Sequence, residues 1–170
     1  MVLINSYLKD IFYSTSKDYL LKNFTVSTPE NIKIDKRIVH SIVSELQKML
    51  SFRIDSLNVN FISSDLMIEI NKKHLNHDYD TDILTFNYSG SNLNLDGEIF
   101  ISIMQAIDNS IKFNVNLDSE LIRLIIHGIL HLLGYDDQKS SDKKKMKIEE
   151  NMLTESLTKN YNNILIEYDY

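Results

Sequence analysis

Between Leu121 and Leu133 the chain reads LIRLIIHGILHLL, and its apolar residues fall on nearly every side of a helix instead of along one stripe. A helix that is apolar all round must be enclosed by other elements. This segment therefore predicts a central helix around which the remainder is built. With 170 residues, 43% of them hydrophobic, the chain can enclose it without cross-links or a metal staple. One domain spanning residues 1–170 is the expectation. The sequence has no cysteine, so disulfides and thiolate ligands are excluded and any metal must be held by nitrogen and oxygen donors.

The enclosing elements are legible from periodicity. Residues 35–50 place Ile38, Ile42, Val43, Leu46, Met49 and Leu50 on one helical stripe, with Asp35 as N-cap and His40 off the stripe, in solvent. Leu57 to Ile62 alternates apolar with polar residues, the period of a half-buried strand. A second helix follows in SSDLMIEINKKHL, capped by Ser63 or Ser64, with Leu66, Met67, Ile70 and Leu75 inward. Asp82–Tyr88 and Gly97–Ser102 are two β-rich runs, either a hairpin with a long loop or adjacent strands. Helices are expected from Ile103 to Asn114, from Asn116 or Asp118 through the central segment, and from Ser141 to Lys159, the last charged and half exposed. The order predicts an α+β fold: a small mixed β-sheet packed with about five helices, the central apolar one carrying two histidines.

The net charge of −6 argues against a broadly basic surface, so contact with RNA would need a local basic patch. The N-terminal residues alternate apolar with polar and charged types, unlike a signal peptide or a membrane span. A soluble, cytoplasmic protein without a membrane partner is expected.

The central helix ends in HGILHLLGYDD, residues 127–137. Side chains four apart on a helix stand one above the other, so His127 and His131 present their imidazoles on one side, where a single ion can bridge them. Burying two imidazoles costs on the order of a few kcal/mol unless partners satisfy their nitrogens. Gly134 tolerates the left-handed conformation that ends a helix, after which the chain can double back with Asp136 and Asp137. Two nitrogens and one carboxylate oxygen leave a fourth tetrahedral position for water, the pattern of a catalytic zinc. The competing reading is that the histidines bond to nearby backbone or carboxylates and that Gly134 is only a helix stop.

This stretch resembles the signature of the YbeY-type endoribonucleases, His-Gly-x-Leu-His-Leu-x-Gly-Tyr-Asp-His, through His127, Gly128, Leu130, His131, Leu132, Gly134, Tyr135 and Asp136. Upstream, Asn71, Asp78, Thr81, Asp82, Leu84 and Phe86 resemble a second block of that family. The chain departs from the pattern at Asp137, where the family has a third histidine, and at Leu75, His74 and Glu98, where it has arginine, tyrosine and aspartate. The resemblance extends over about residues 57–150 and implies a metal-dependent, single-strand-specific endoribonuclease of ribosomal RNA maturation and ribosome quality control. It implies ribosomal RNA and the small ribosomal subunit as partners, with no DNA expected, and one zinc ion held by His127, His131 and Asp137. Glu98 and Asp136 are then candidate general bases. Arg123, Lys72 and Lys73 become candidate phosphate-binding cations in place of the family's arginine.

Two rival functions share the same residues. The ligand spacing of His127, His131, Gly134 and Asp137 is also that of metzincin-like metallopeptidases, but those place a glutamate after the first histidine, where this chain has Gly128. A non-catalytic RNA-binding module of ribosome assembly is the other. The lysine run Lys143, Lys144, Lys145 and Lys147 is either an RNA-backbone contact or a solvated helix face. His74 and His77, among Asp78, Asp80 and Asp82, read better as a loop than as a second metal cluster.

Overall fold

A computed structural model of the chain describes residues 21–75 and 79–169. Among the described residues lie six strands and five helices: β1 (Phe24–Ser27), β2 (Ile32–Ile34), α1 (Lys36–Leu50), β3 (Arg53–Ile62), α2 (Ser64–Leu75), β4 (Ile83–Asn87), β5 (Asn94–Ser102), α3 (Ile103–Phe113), α4 (Leu117–Leu132), α5 (Ser140–Leu157) and β6 (Leu165–Tyr168). The α+β expectation is met. The main sheet has the order β1-β3-β5-β4, with β3 parallel to both β1 and β5 and with β4 antiparallel to β5. The two β-rich runs are thus a hairpin with a long loop, and β4 is a sheet edge. β2 and β6 form a separate antiparallel pair.

Local chemistry sets the helix limits. Asp35 accepts a hydrogen bond from the Arg37 N–H at 3.0 Å, and Ser51 ends α1 in the left-handed conformation. Ser102 caps α3 and Asn116 caps α4 by the same device. The cap on α2 is Ser63, whose hydroxyl oxygen faces the Leu66 N–H at 3.4 Å.

Strand alternation sorts the sheet's side chains between two faces. Phe24, Val26, Leu57, Val59, Phe61, Ile99 and Ile101 are buried on one face, which receives α4. The opposite face carries Phe86 and Glu98 and receives α2, with the His74 ring edge-on to Phe86 at 5.2 Å. Two glycines set how closely α4 settles. A Cβ on Gly97 would stand 2.8 Å from Leu132 Cδ2 and 2.5 Å from the Phe86 carbonyl oxygen, and one on Gly128 would stand 2.8 Å from two Ile99 carbons. Helix and strand meet backbone to side chain at both points. The expected enclosure of α4 follows, with Leu121, Ile122, Leu124, Ile125, Ile126, Ile129 and Leu130 fully buried. Each such side chain contributes about 1.5–3 kcal/mol relative to exposure.

Three expectations are corrected. His40 is buried, with 4% of its surface exposed: its Nδ1 accepts the Leu21 N–H at 3.2 Å and its ring meets Phe24 edge-on at 4.6 Å. The entry into β1 lies over a helix face that periodicity alone assigns to solvent. Met49 and Leu66, expected inward, are 43% and 40% exposed, each in a terminal turn of its helix.

Candidate metal centre

The two histidines occupy consecutive turns of α4, on the side that looks toward edge strand β4. Gly97 and Gly128 bring the helix close enough for the Asn87 side-chain amide to donate to the Leu132 carbonyl at 3.1 Å, which ties the C-terminal turn of α4 to β4. Between them opens a cleft of about 580 Å³, walled by residues 81–85 and Asn87 on one side and by His127, His131, Asp137 and Gln138 on the other.

The end of α4 is a Schellman turn. The Tyr135 N–H reaches the Leu130 carbonyl at 3.0 Å and the Gly134 N–H reaches the His131 carbonyl at 2.9 Å. Gly134 has φ +88°, and Asn92 fills the space where its Cβ would be. A side chain there would meet both strain and collision. The reversal places the Tyr135 carbonyl against His131 Nδ1 at 3.1 Å and brings Asp137 Oδ2 to 4.0 Å from His131 Nε2.

The hydrogen bonds determine which ring nitrogens carry hydrogen. A carbonyl can only accept, so His131 Nδ1 is the donor to Tyr135. His127 Nδ1 stands 2.7 Å from Glu150 Oε2. Burial would raise the Glu150 pKa, but hydrogen bonds from His127 and Lys147 and the charges of Arg123 and Lys147 outweigh it and push it down to about 2. Glu150 is therefore a carboxylate, and His127 Nδ1 donates to it. In the neutral rings both Nε2 atoms are left as lone pairs, and they face each other at 3.0 Å. Two lone pairs so placed repel unless a proton or a cation lies between them. Burial first, and then the repulsion that a second positive charge beside His127 would bring, hold His131 below the usual imidazole range and disfavour the proton. Ligand atoms of His127, His131 and Asp137 all lie within 4.8 Å of one another, and among the described residues no other group of three such side chains converges in this way. The donor set fits a small divalent cation.

The Nδ1 atoms bond to carboxylate and backbone, as the competing reading of the motif has it, and that bonding leaves the two Nε2 atoms available as ligand atoms.

The other residues singled out from sequence are not gathered here. Glu98 lies on the far face of the sheet, where it accepts from Tyr88 Oη at 2.9 Å and faces the Asn58 amide at 3.3 Å. Strand alternation puts its neighbours Gly97 and Ile99 under α4, which turns Glu98 away from the histidines. Lys72 and Lys73 are exposed on α2, across the sheet. Asp136 accepts the Gln138 N–H at 2.9 Å and lines a neighbouring cleft with Asp142 and Lys145. Arg123 is held by carboxylates: two bonds to Glu120, at 2.7 and 2.8 Å, and approaches to Asp82 at 3.4 Å and Glu150 at 3.7 Å. Its donors are committed to a scaffold. His74 packs on Phe86, Asp80 faces the Ser102 hydroxyl at 3.3 Å, and His77 and Asp78 lie outside the described residues. The lysines at 143–147 are exposed on α5, with Lys147 paired to Glu150 at 2.7 Å and Lys145 to Asp142 at 3.6 Å.

Glu150 is the residue that sequence reasoning missed. Its signal is spacing: Met146, Glu150, Leu153 and Leu157 form the buried stripe of α5, and a carboxylate on an apolar stripe needs a partner.

The fold and donor set define an α+β protein with two imidazoles and a carboxylate at the mouth of a sheet-edge cleft. The family model described as Endoribonuclease YbeY matches residues 22–158, and the chain belongs to that family. It is 44% identical over 150 residues to the Endoribonuclease YbeY of Karelsulcia muelleri, covering 88% of this chain and 96% of that protein. The Endoribonuclease YbeY of Azobacteroides pseudotrichonymphae is 40% identical over 127 residues, covering 75% and 88%. The solution structure of a Thermotoga maritima protein shares the fold, with a TM-score of 0.59 at 24% identity over 79% of this chain and 88% of that one. The family match starts at residue 22, ahead of the region near residue 57 where the resemblance becomes legible by eye.

Proposed function

We propose that this protein is a metal-dependent endoribonuclease that cuts single-stranded RNA in ribosomal RNA maturation and ribosome quality control, with the small ribosomal subunit as its partner. The observation that carries this reading is the pair of Nε2 lone pairs 3.0 Å apart, with Asp137 beside them, in a chain of the YbeY family. His127, His131 and Asp137 would hold the ion, and a two-nitrogen, one-oxygen set with an open position suits zinc. When bound, such an ion supplies Lewis-acid polarisation of a phosphodiester and of water.

The chain's own residues supply position. The free edge of β4 and the hydroxyl of Thr85 line the cleft opposite the rings and offer polar contacts to a sugar-phosphate strand. No Lys or Arg is among the described residues lining it, while Asp82 and Asp137 are. The positive charge that a phosphate needs would therefore come from the ion.

Peptide hydrolysis is disfavoured by packing as well as by sequence. Gly128 lies against Ile99, whose side chain would have to shift to admit even a Cβ, so a glutamate at that helix position meets crowding as well. The test is His131→Ala, which should abolish chelator-sensitive cleavage of a single-stranded RNA with an unchanged circular dichroism spectrum. Full retained cleavage would overturn the metal mechanism. Chelator-sensitive digestion of casein would favour the peptidase, and intact small-subunit binding and function in the variant would favour the non-catalytic module.

A further inference from the structure

Two carboxylates are buried among the described residues, Glu120 and Glu150. Glu120 serves Arg123 on its own helix. Glu150 comes from another helix and reaches a ring of the donor set, with 3% of its side chain exposed. Taking a carboxylate out of water carries a large desolvation cost, and an apolar residue on the α5 stripe would avoid it. Lys147 bonds Oε1 of Glu150 at 2.7 Å from a side chain that is 58% exposed, and Arg123, which holds Glu120 through two hydrogen bonds, stands 3.7 Å from Oε2. The direct hydrogen bond that Oε2 accepts is from His127 Nδ1 at 2.7 Å, on the ring of the donor set.

We infer that Glu150 is a positioning residue for the metal centre: its carboxylate fixes His127 in the orientation and tautomer that leave Nε2 free for a divalent cation, and strengthens that nitrogen as a donor. The physics is that of a carboxylate bonded behind a metal-binding imidazole, where the anion holds the Nδ1 hydrogen and pushes electron density toward the opposite nitrogen. His131 receives the weaker version from the neutral Tyr135 carbonyl. The centre is therefore asymmetric, and loss of Glu150 unsettles one ring while the α4 backbone and the second ring keep their contacts.

The inference rests on the metal reading above, and the test separates the two. In the full chain, Glu150→Gln keeps the volume and an acceptor oxygen but removes the charge. Zinc affinity, measured by competition with a chromophoric chelator, should fall about 10- to 100-fold in this variant. The visible d–d bands of the cobalt-loaded form should shift in position or intensity, while the far-ultraviolet spectrum of the metal-free protein stays as in wild type. Wild-type affinity together with an unaltered cobalt spectrum would overturn the assignment of Glu150 alone. A wild-type chain that takes up neither zinc nor cobalt would overturn the metal reading and this inference with it. If the glutamine variant does not fold, the imidazole nitrogen resonances of zinc-loaded wild type decide: hydrogen on His127 Nδ1 and metal on Nε2 are expected, and the reverse assignment overturns the proposal.

Discussion

Single residues near the histidine helix do more than their types suggest. His40 is a case removed from the metal centre. Its ring is enclosed by Phe24 and by the chain entering β1, and burial lowers its pKa from 6.5. The sign follows directly. Well above pH 6.5 neither folded nor unfolded chain protonates this ring, and its packing contributes fully. Below 6.5 the unfolded chain takes up a proton that the folded chain resists, so stability falls as the solution is acidified. Urea midpoints at about pH 7.5 and about pH 5.5 should therefore lie closer together for His40→Gln than for wild type. An equal acid-side loss in both would show that His40 is not the group responsible. Asp137 poses the opposite question, a side chain 46% exposed where the related signature has an imidazole. As a ligand, its hard oxygen would favour a hard or borderline cation over a soft one.

At the scale of elements, the contact between α4 and β5 is the joint on which the cleft depends. Gly97→Ala would press a methyl into the Phe86 carbonyl and Leu132, costing about 1–3 kcal/mol by overpacking. Since Phe86 belongs to β4 and Leu132 to the last turn of α4, the variant should show a lowered thermal midpoint together with weakened metal binding. A loss of stability with unaltered metal affinity would show that the joint and the site are independent. The same elements show what a reader of sequence can and cannot see. The stripe Ile38, Ile42, Val43 and Leu46 and the Asp35 cap announce α1 because period and cap agree. The histidine pair and Gly134 announce the convergence of His127, His131 and Asp137 because a helix fixes spacing and a glycine fixes its end. β1, β2 and β6 span four, three and four residues, too few for a period to emerge, and gain their stability from partners distant in sequence. Glu150 was hidden for a related reason: its partner lies 23 residues away on another helix, in a segment whose charge reads as solvated.

For the molecule as a whole, a net charge of −6 and a cleft lined by Asp82 and Asp137 set a limit on how RNA is held. If the ion is the cleft's source of positive charge, chelation should weaken RNA binding as well as cleavage. Fluorescence anisotropy of a labelled single strand, read with and without chelator, checks this; affinity that survives chelation would move the phosphate contacts to the exposed lysines of α5. No helix among the described residues is long and apolar enough to cross a membrane. The core built around α4 is closed by hydrophobic contacts and by the Asn87–Leu132 hydrogen bond, and both rings are held at Nδ1 by groups of the chain itself. Asp137 alone stands on a surface turn, half in water. If these three side chains hold an ion, the fold does not wait on it, and the ion would enter and leave the finished protein at the rim, beside the one donor that is half in water.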